Sequence, residues 1–266
     1  MPSRVPLLLV LVAALAPAPA RANLRAPGYV PHSPSSALYA PAGGLTVTGE
    51  ELTFECDGRC AVTAAYAVTA ARAGRLAFEF ILPVKEQVAV RVGPAGEAVK
   101  VGPAEPLGAR EAKAMRAALA RAHRDDRVAL YRARFEATLA AGANRVVVTY
   151  VQPLGAYERD YGYFKKGRWV HTFQYEVWPL KEWTLAPGFT ARLTVTMPRP
   201  APGWWKRTFG TVRSIACRAL KEDSSTPLVG ARLTQRQGTL EYRVDLAAAT
   251  LPDRLVCNLG DEDLIR

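Results

Sequence analysis

The sequence lacks the motifs that organise the common catalytic sites. It contains no H-E-x-x-H, G-x-S-x-G, P-loop or G-x-G-x-x-G pattern, so nothing marks a zinc protease, a serine hydrolase or a nucleotide site. Its three histidines, His32, His123 and His171, are spread along the chain and form a metal site only if the N-terminal arm folds back. We therefore expect no metal, no cofactor and no enzymatic activity.

Long apolar runs are also absent, apart from one at the N-terminus. Val5–Leu15 is too short to cross a bilayer, which takes about 20 residues. Two prolines and an Ala-Arg-Ala cleavage signal follow it, so we predict a signal peptide over residues 1–22. The alternative, a buried N-terminal helix, is disfavoured by those prolines. The mature protein is then periplasmic or extracellular, and we expect no transmembrane segment.

Cysteine is scarce, but the number is even, at four. An even number in an exported chain is typical of disulfides. A three-residue Asp-Gly-Arg loop sets Cys56 directly opposite Cys60, which leaves Cys217 to pair with Cys257. A zinc site is the weaker interpretation, because there is no second paired ligand motif.

Short β-rich runs divided by Gly, Pro and charged residues make up most of the chain. Their spacing predicts a mainly β protein, an antiparallel β-sandwich-like fold with one α-helical insert. The predicted order is a flexible arm over 23–43, a β-sandwich over 44–198 with the helical insert at about 106–124, and a smaller C-terminal β region over 199–266.

Nine aromatic residues are concentrated in the stretch 157–183. We predict a hairpin here with its turn at Lys165-Lys166-Gly167, because glycine suits the third place of a three-residue loop. Alternation then puts most of the aromatic side chains on one face of the hairpin. The apolar area of such a face is larger than a soluble monomer usually exposes, so most of it must be buried. The residues predicted to be core are Trp169, Phe173 and Tyr175, and those left as exposed candidates are Tyr161 and Tyr163.

A second aromatic cluster, Trp204-Trp205, stands beside Lys206-Arg207 after a Pro-rich segment. It fits a ligand-stacking or membrane-interface site, and equally a pair of indoles that cover a joint between two parts of the fold. The candidate ligand-binding residues are therefore Tyr161, Tyr163, Trp204 and Trp205.

Carboxylates among the aromatic residues give the one specific enzyme hypothesis. A pair of acids can hydrolyse a glycoside without any local motif, and aromatic rings can stack sugars. Against it, the number of acids in this stretch is close to ordinary composition. The four acids are Glu158, Asp160, Glu176 and Glu182.

Several short motifs resemble a family of exported bacterial proteins of unknown function. They are GGLTVTGEELTFECDGRCAVTAAYAV (43–68), LAFEFILP (76–83), TYVQP (149–153), Tyr175, Trp183 and SIAC (214–217). The resemblance implies this fold and export, and it implies no activity.

The formal charge of +11 falls to +9 when the signal peptide with Arg4 and Arg21 is removed, and such a surplus favours an anionic partner, although it also serves plain solubility. The partner that we expect is an anionic envelope component or a glycan, and we do not expect nucleic acid. We therefore predict an exported envelope protein with a binding or structural role. The alternatives are a carbohydrate-active hydrolase and a membrane-surface protein.

Overall fold

The computed structural model describes residues 23–24, 44–82, 85, 87–93, 95–106, 131–162, 165–177, 180, 183–199, 212–221 and 224–265. The signal peptide, most of the N-terminal arm and the helical insert lie outside these residues. Within them the fold is mainly β, as predicted, and α1 (Glu262–Ile265) is a single helical turn.

The strands run through the whole described part of the chain. They are β1 (Asn23–Leu24), β2 (Leu45–Asp57), β3 (Arg59–Ala70), β4 (Gly74–Leu82), β5 (Ala89–Val92), β6 (Glu97–Val99), β7 (Glu105–Pro106), β8 (Tyr131–Leu139), β9 (Gly142–Pro153), β10 (Gly155–Gly162), β11 (Lys165–Glu176), β12 (Thr184–Pro198), β13 (Arg213–Lys221), β14 (Ser224–Pro227), β15 (Arg232–Arg236), β16 (Thr239–Ala247) and β17 (Arg254–Asp261).

These strands form three sheets. The large sheet has the order β15-β16-β12-β2-β3-β9-β5-β6, and the two smaller sheets have the orders β10-β11-β17-β13-β14 and β1-β4-β8-β7. Most pairs are antiparallel, but β12 runs parallel to β2. Strands from beyond residue 199 join sheets that earlier strands begin, since β16 pairs with β12 and β17 with β11.

Alternating side chains build the core between the sheets. In β8 the side chains from Ala133 to Leu139 are buried at every second position. The two smaller sheets pack against the inner face of the large one. Phe54 of the large sheet stacks on Phe173 with ring centroids 4.2 Å apart, and Tyr150 meets Phe80 of the other small sheet at 5.3 Å.

Both predicted disulfides are present. Cys56 pairs with Cys60 across the turn between β2 and β3, where Gly58 takes a φ of 70°. This left-handed conformation suits glycine and closes the short loop. Cys217 of β13 pairs with Cys257 of β17, directly opposite it in the register.

The predicted register of the aromatic hairpin is wrong. Gly162 of β10 pairs with Lys165 of β11, so two residues connect the strands instead of the Lys165-Lys166-Gly167 turn. Asp160 then opposes Arg168, and two irregularities lie between Glu158 and Gly162. Gly167 therefore lies in an irregular part of the hairpin and not in its turn.

This register changes the outcome for the predicted core residues. Phe173 and Tyr175 are buried, each with 2% of its surface exposed, as predicted. Trp169 is 53% exposed, so its assignment to the core is wrong. It lies beyond His171, at which the regular pairing of β11 with β17 ends.

A charged contact fixes the C-terminal turn on the sheet. Arg168 donates to Asp261 at 2.8 and 2.9 Å and to Asp263 at 2.6 and 2.7 Å. These hydrogen bonds lower the pKa of the Asp263 carboxyl. They hold α1 in place so that Leu264 and Ile265 are buried against the outer face of the five-stranded sheet.

The burial difference along β11 gives a direct test of the observed register. We expect Phe173→Ala to reduce the free energy of unfolding by about 3–5 kcal/mol, because it leaves a cavity in the core. Trp169→Ala should change it by about 0.5 kcal/mol, as most exposed substitutions do. Urea unfolding measures both, and equal losses for the two variants would contradict the register.

Candidate functional site

The structure leaves most of the predicted site residues untested. Tyr161 lies in the backbone of β10, whereas Tyr163, Trp204 and Trp205 fall outside the described residues. Glu158 and Asp160 also belong to β10, and nothing in the structure bears on the carboxylate-pair hypothesis. These assignments stay predictions.

The residues that the structure describes hold no group of three or more His, Cys, Asp and Glu side chains arranged to bind a metal ion. In the same part of the chain, no helix has the length and apolar character needed to span a membrane.

An irregularity in β2 creates the most distinctive local structure. The pairing of β2 with β3 shifts between Val47 and Gly49, as in a β-bulge. Before the shift the odd-numbered Leu45 and Val47 are buried, and after it the even-numbered residues are. Because side chains alternate with period two, a one-residue slip exchanges the two faces of a strand. Glu50 consequently points into the core.

Glu50 is a core residue with only 3% of its surface exposed. The hydroxyl of Tyr175, from the five-stranded sheet, donates to Glu50 Oε1 at 3.0 Å. The hydroxyls of Tyr66 and Tyr175 are also 3.0 Å apart. Either hydroxyl can be the donor in that contact. This Glu50 cluster therefore hydrogen-bonds two sheets together.

Burial governs the electrostatics of the Glu50 cluster. Removal from water raises the pKa of Glu50 from 4.5 to about 7, against the opposing effect of hydrogen bonds from Tyr175 and Tyr66. Burial also raises the pKa values of Tyr66 and Tyr175 well above their ordinary range, and the Glu50 charge raises them further. Both tyrosines therefore remain protonated donors at neutral pH.

A second polar chain lies near the Glu50 cluster. Tyr150 donates to Gln152 Oε1 at 3.5 Å, and Gln152 Nε2 donates to the backbone oxygen of Gln174 at 3.2 Å. Gln152 belongs to β9 of the large sheet, and Gln174 belongs to β11 of the five-stranded sheet. Burial and the Glu50 charge raise the pKa of Tyr150. Polar contacts thus join the large sheet to the five-stranded sheet at two places.

The outer surface of the same bulge carries a hollow of about 340 Å³. The floor of the hollow is made of small residues. Gly49 has no side chain, and the residues of β3 that line the hollow are the alanines Ala65 and Ala67. Strands β12, β2, β3 and β9 supply its walls. The residues that line it are Gly49, Glu50, Glu51, Ala65, Ala67, Arg145, Thr190 and Arg192.

Charges of alternating sign cross this hollow. Arg145 of β9 reaches over β3 and donates to Glu51 at 3.0 Å. On the other side of Glu51, Arg192 of β12 donates to Asp245 of β16 at 2.7 Å. The hydrogen bond from Arg192 lowers the pKa of Asp245. Positive and negative side chains from β16, β12, β2 and β9 therefore follow one another on the outer face.

Glu50, Arg145 and Arg192 are not among the residues predicted from the sequence. A signal for the bulge was nevertheless present in LTVTGEELTF, where apolar residues change from odd to even positions on either side of Gly49. A glycine at such a change of phase is typical of a bulge. Arg145 and Arg192 had no comparable signal, because their neighbours across the sheet come from distant parts of the chain.

No protein family model matches the chain, and no curated protein matches it. Solved structures with a similar arrangement include a candidate nutrient-binding protein of Legionella pneumophila, at 10% identity and a TM-score of 0.48, with 90% of this chain and 72% of that chain covered. The M1 zinc metallopeptidase of Deinococcus radiodurans is similar at 13% identity and a TM-score of 0.39, over 81% of this chain and 42% of its own.

A candidate protease of Parabacteroides distasonis has 12% identity and a TM-score of 0.34, over 82% of this chain and 40% of its own. Because the identities and TM-scores are this low, we transfer no residue role or activity from these proteins.

The Glu50 pKa predicts a pH-dependent stability. The folded pKa of about 7 exceeds the ordinary 4.5, so the folded state holds the proton more tightly. The resulting stabilisation is complete below about pH 4.5 and is lost as the pH rises through about 7. Glu50→Gln still accepts from Tyr175 and cannot ionise. It should match wild type near pH 4.5 and be more stable by about 3 kcal/mol near pH 8.5.

Urea unfolding at the two pH values measures this difference. Glu51→Gln is the matched control, because the neighbouring carboxylate is exposed and its loss should change stability by about 1 kcal/mol or less. A Glu50→Gln variant with the same pH dependence as wild type would contradict the buried, proton-binding carboxyl.

Proposed function

We propose that the protein is an exported envelope protein that binds a small polar ligand in the hollow on the outer face of its large sheet. The observation that carries this proposal is the pairing of a small-residue floor with charged walls. The hollow holds about 340 Å³, at the lower end of the roughly 300–1,000 Å³ of ligand pockets.

The shape of the hollow is built into the sheet. Gly49 pairs with Ala67, and Glu51 pairs with Ala65, so two neighbouring rows of the outer face have little side-chain volume on β3. Arg145 and Arg192 stand on either side of these rows. A rigid sheet holds such groups in fixed positions, which is what a preformed binding site needs.

Export is the second part of the proposal. Two disulfides fit an oxidising compartment, and the N-terminal residues fit a cleaved signal peptide. After removal of the signal peptide with Arg4 and Arg21, the formal charge of +11 becomes +9, which favours contact with an anionic envelope surface or glycan. Contact with an anionic surface would depend on the charge of the whole molecule. The specific small ligand, in contrast, is assigned to the hollow.

Filling the hollow tests its role in binding. Ala67→Tyr places a large side chain in it from the solvent side, so the fold should remain and the ligand should be excluded. Protein incubated with an envelope extract, washed and denatured should release a bound small molecule that mass spectrometry detects. Wild type should release this molecule, and Ala67→Tyr should release an amount that is lower by about tenfold or more.

Ala61→Tyr is the matched control, because Ala61 is an exposed residue of the same strand and does not line the hollow. It should release as much ligand as wild type. Equal retention by Ala67→Tyr and Ala61→Tyr, or no retained molecule in wild type, would overturn the proposal.

A further inference from the structure

The two arginines of the hollow keep hydrogen-bonding capacity after their ion pairs are made. A guanidinium has five N–H donors on three nitrogens. Within the described part of the chain, Arg145 uses Nη2 for Glu51, and Arg192 uses Nε for Asp245. Other nitrogens of each guanidinium therefore remain to hold a carboxylate, for which paired N–H donors are well suited.

Glu51 lies between the two guanidiniums. It opposes Arg192 in the pairing of β2 with β12, and Arg145 reaches it from the other side of β3. Its charge also acts on Arg192. Glu51 is exposed, so a cationic group of a ligand can approach its carboxylate from solvent.

Each arginine of the hollow is paired with a carboxylate. Arg145 contacts Glu51 and Arg192 contacts Asp245, on which Arg232 and Arg243 also act. A simple anion can use the free N–H groups of the arginines but is repelled by Glu51, and a simple cation that approaches Glu51 meets the two guanidiniums beside it. A ligand with both charges can place its negative group against the arginines and its positive group against Glu51 at the same time.

Resting on the function proposed above, we propose that the ligand of the hollow is a small zwitterion. Its carboxylate contacts Arg145 and Arg192, and its ammonium group lies beside Glu51. The volume of about 340 Å³ suits a molecule of the size of an amino acid. Glu50 lies below the floor with its side chain in the core, and it takes no part in the contact.

Three probes of equal chain length separate the contributions of charge. γ-Aminobutyrate carries both charges, butyrate carries the negative one and butylamine the positive one. We expect γ-aminobutyrate to shift the backbone amide resonances of Gly49, Ala67 and Thr190 to saturation in ¹⁵N-labelled protein. Butyrate and butylamine should bind at least about tenfold more weakly.

Variants then place the contact. Arg145→Gln and Glu51→Gln should each weaken γ-aminobutyrate binding by about tenfold. Arg91→Gln should leave it unchanged, because Arg91 is an exposed arginine of the same sheet that does not line the hollow.

Three results would overturn the zwitterion assignment. They are butyrate binding as tightly as γ-aminobutyrate, no saturable shift with γ-aminobutyrate, and binding that is insensitive to Arg145→Gln. If the extract experiment yields a ligand of single charge that Ala67→Tyr excludes, the binding role of the hollow stands and the zwitterion assignment fails.

Discussion

The bulge at Thr48–Gly49 in β2 is the constraint on which the rest of the site depends. It exchanges the two faces of the strand, so that Leu45 and Val47 before it and Leu52 after it all point to the same core. β2 lies in the middle of the large sheet and pairs with β3 on one side and β12 on the other. An extra residue in β2 therefore decides which of its side chains face the core and which face the outer surface.

The two surfaces of β2 show opposite consequences of this one irregularity. On the inner surface Glu50 enters an apolar core, where the hydroxyls of Tyr175 and Tyr66 stabilise its charge. On the outer surface Gly49 leaves space that Ala67 does not fill, while Glu51 engages Arg145. The bulge in β2 thus accounts both for a carboxyl that is unfavourable to bury and for an open hollow. Departures from regular strand geometry of this kind are expected at functional sites.

Local patterns were sufficient for much of the fold. Short β-rich runs divided by Gly, Pro and charged residues predicted the mainly β fold, and a short Asp-Gly loop predicted the Cys56–Cys60 pair. The hairpin register failed because Gly167 marks an irregularity that local sequence cannot distinguish from a turn. Arg145 and Arg192 were missed because β9, β3, β2 and β12 meet only through long-range pairing, including one parallel pair.

The inward position of Glu50 can be measured at the atom concerned. Carbon-13 NMR follows the ionisation of its side-chain carboxyl in the folded protein, and the assignment comes from Glu50→Gln. A bulged strand with Glu50 in the core predicts a midpoint at about pH 7. A midpoint near the ordinary 4.5 would show that the carboxyl is in water, and both the bulge and the hollow derived from it would then be wrong.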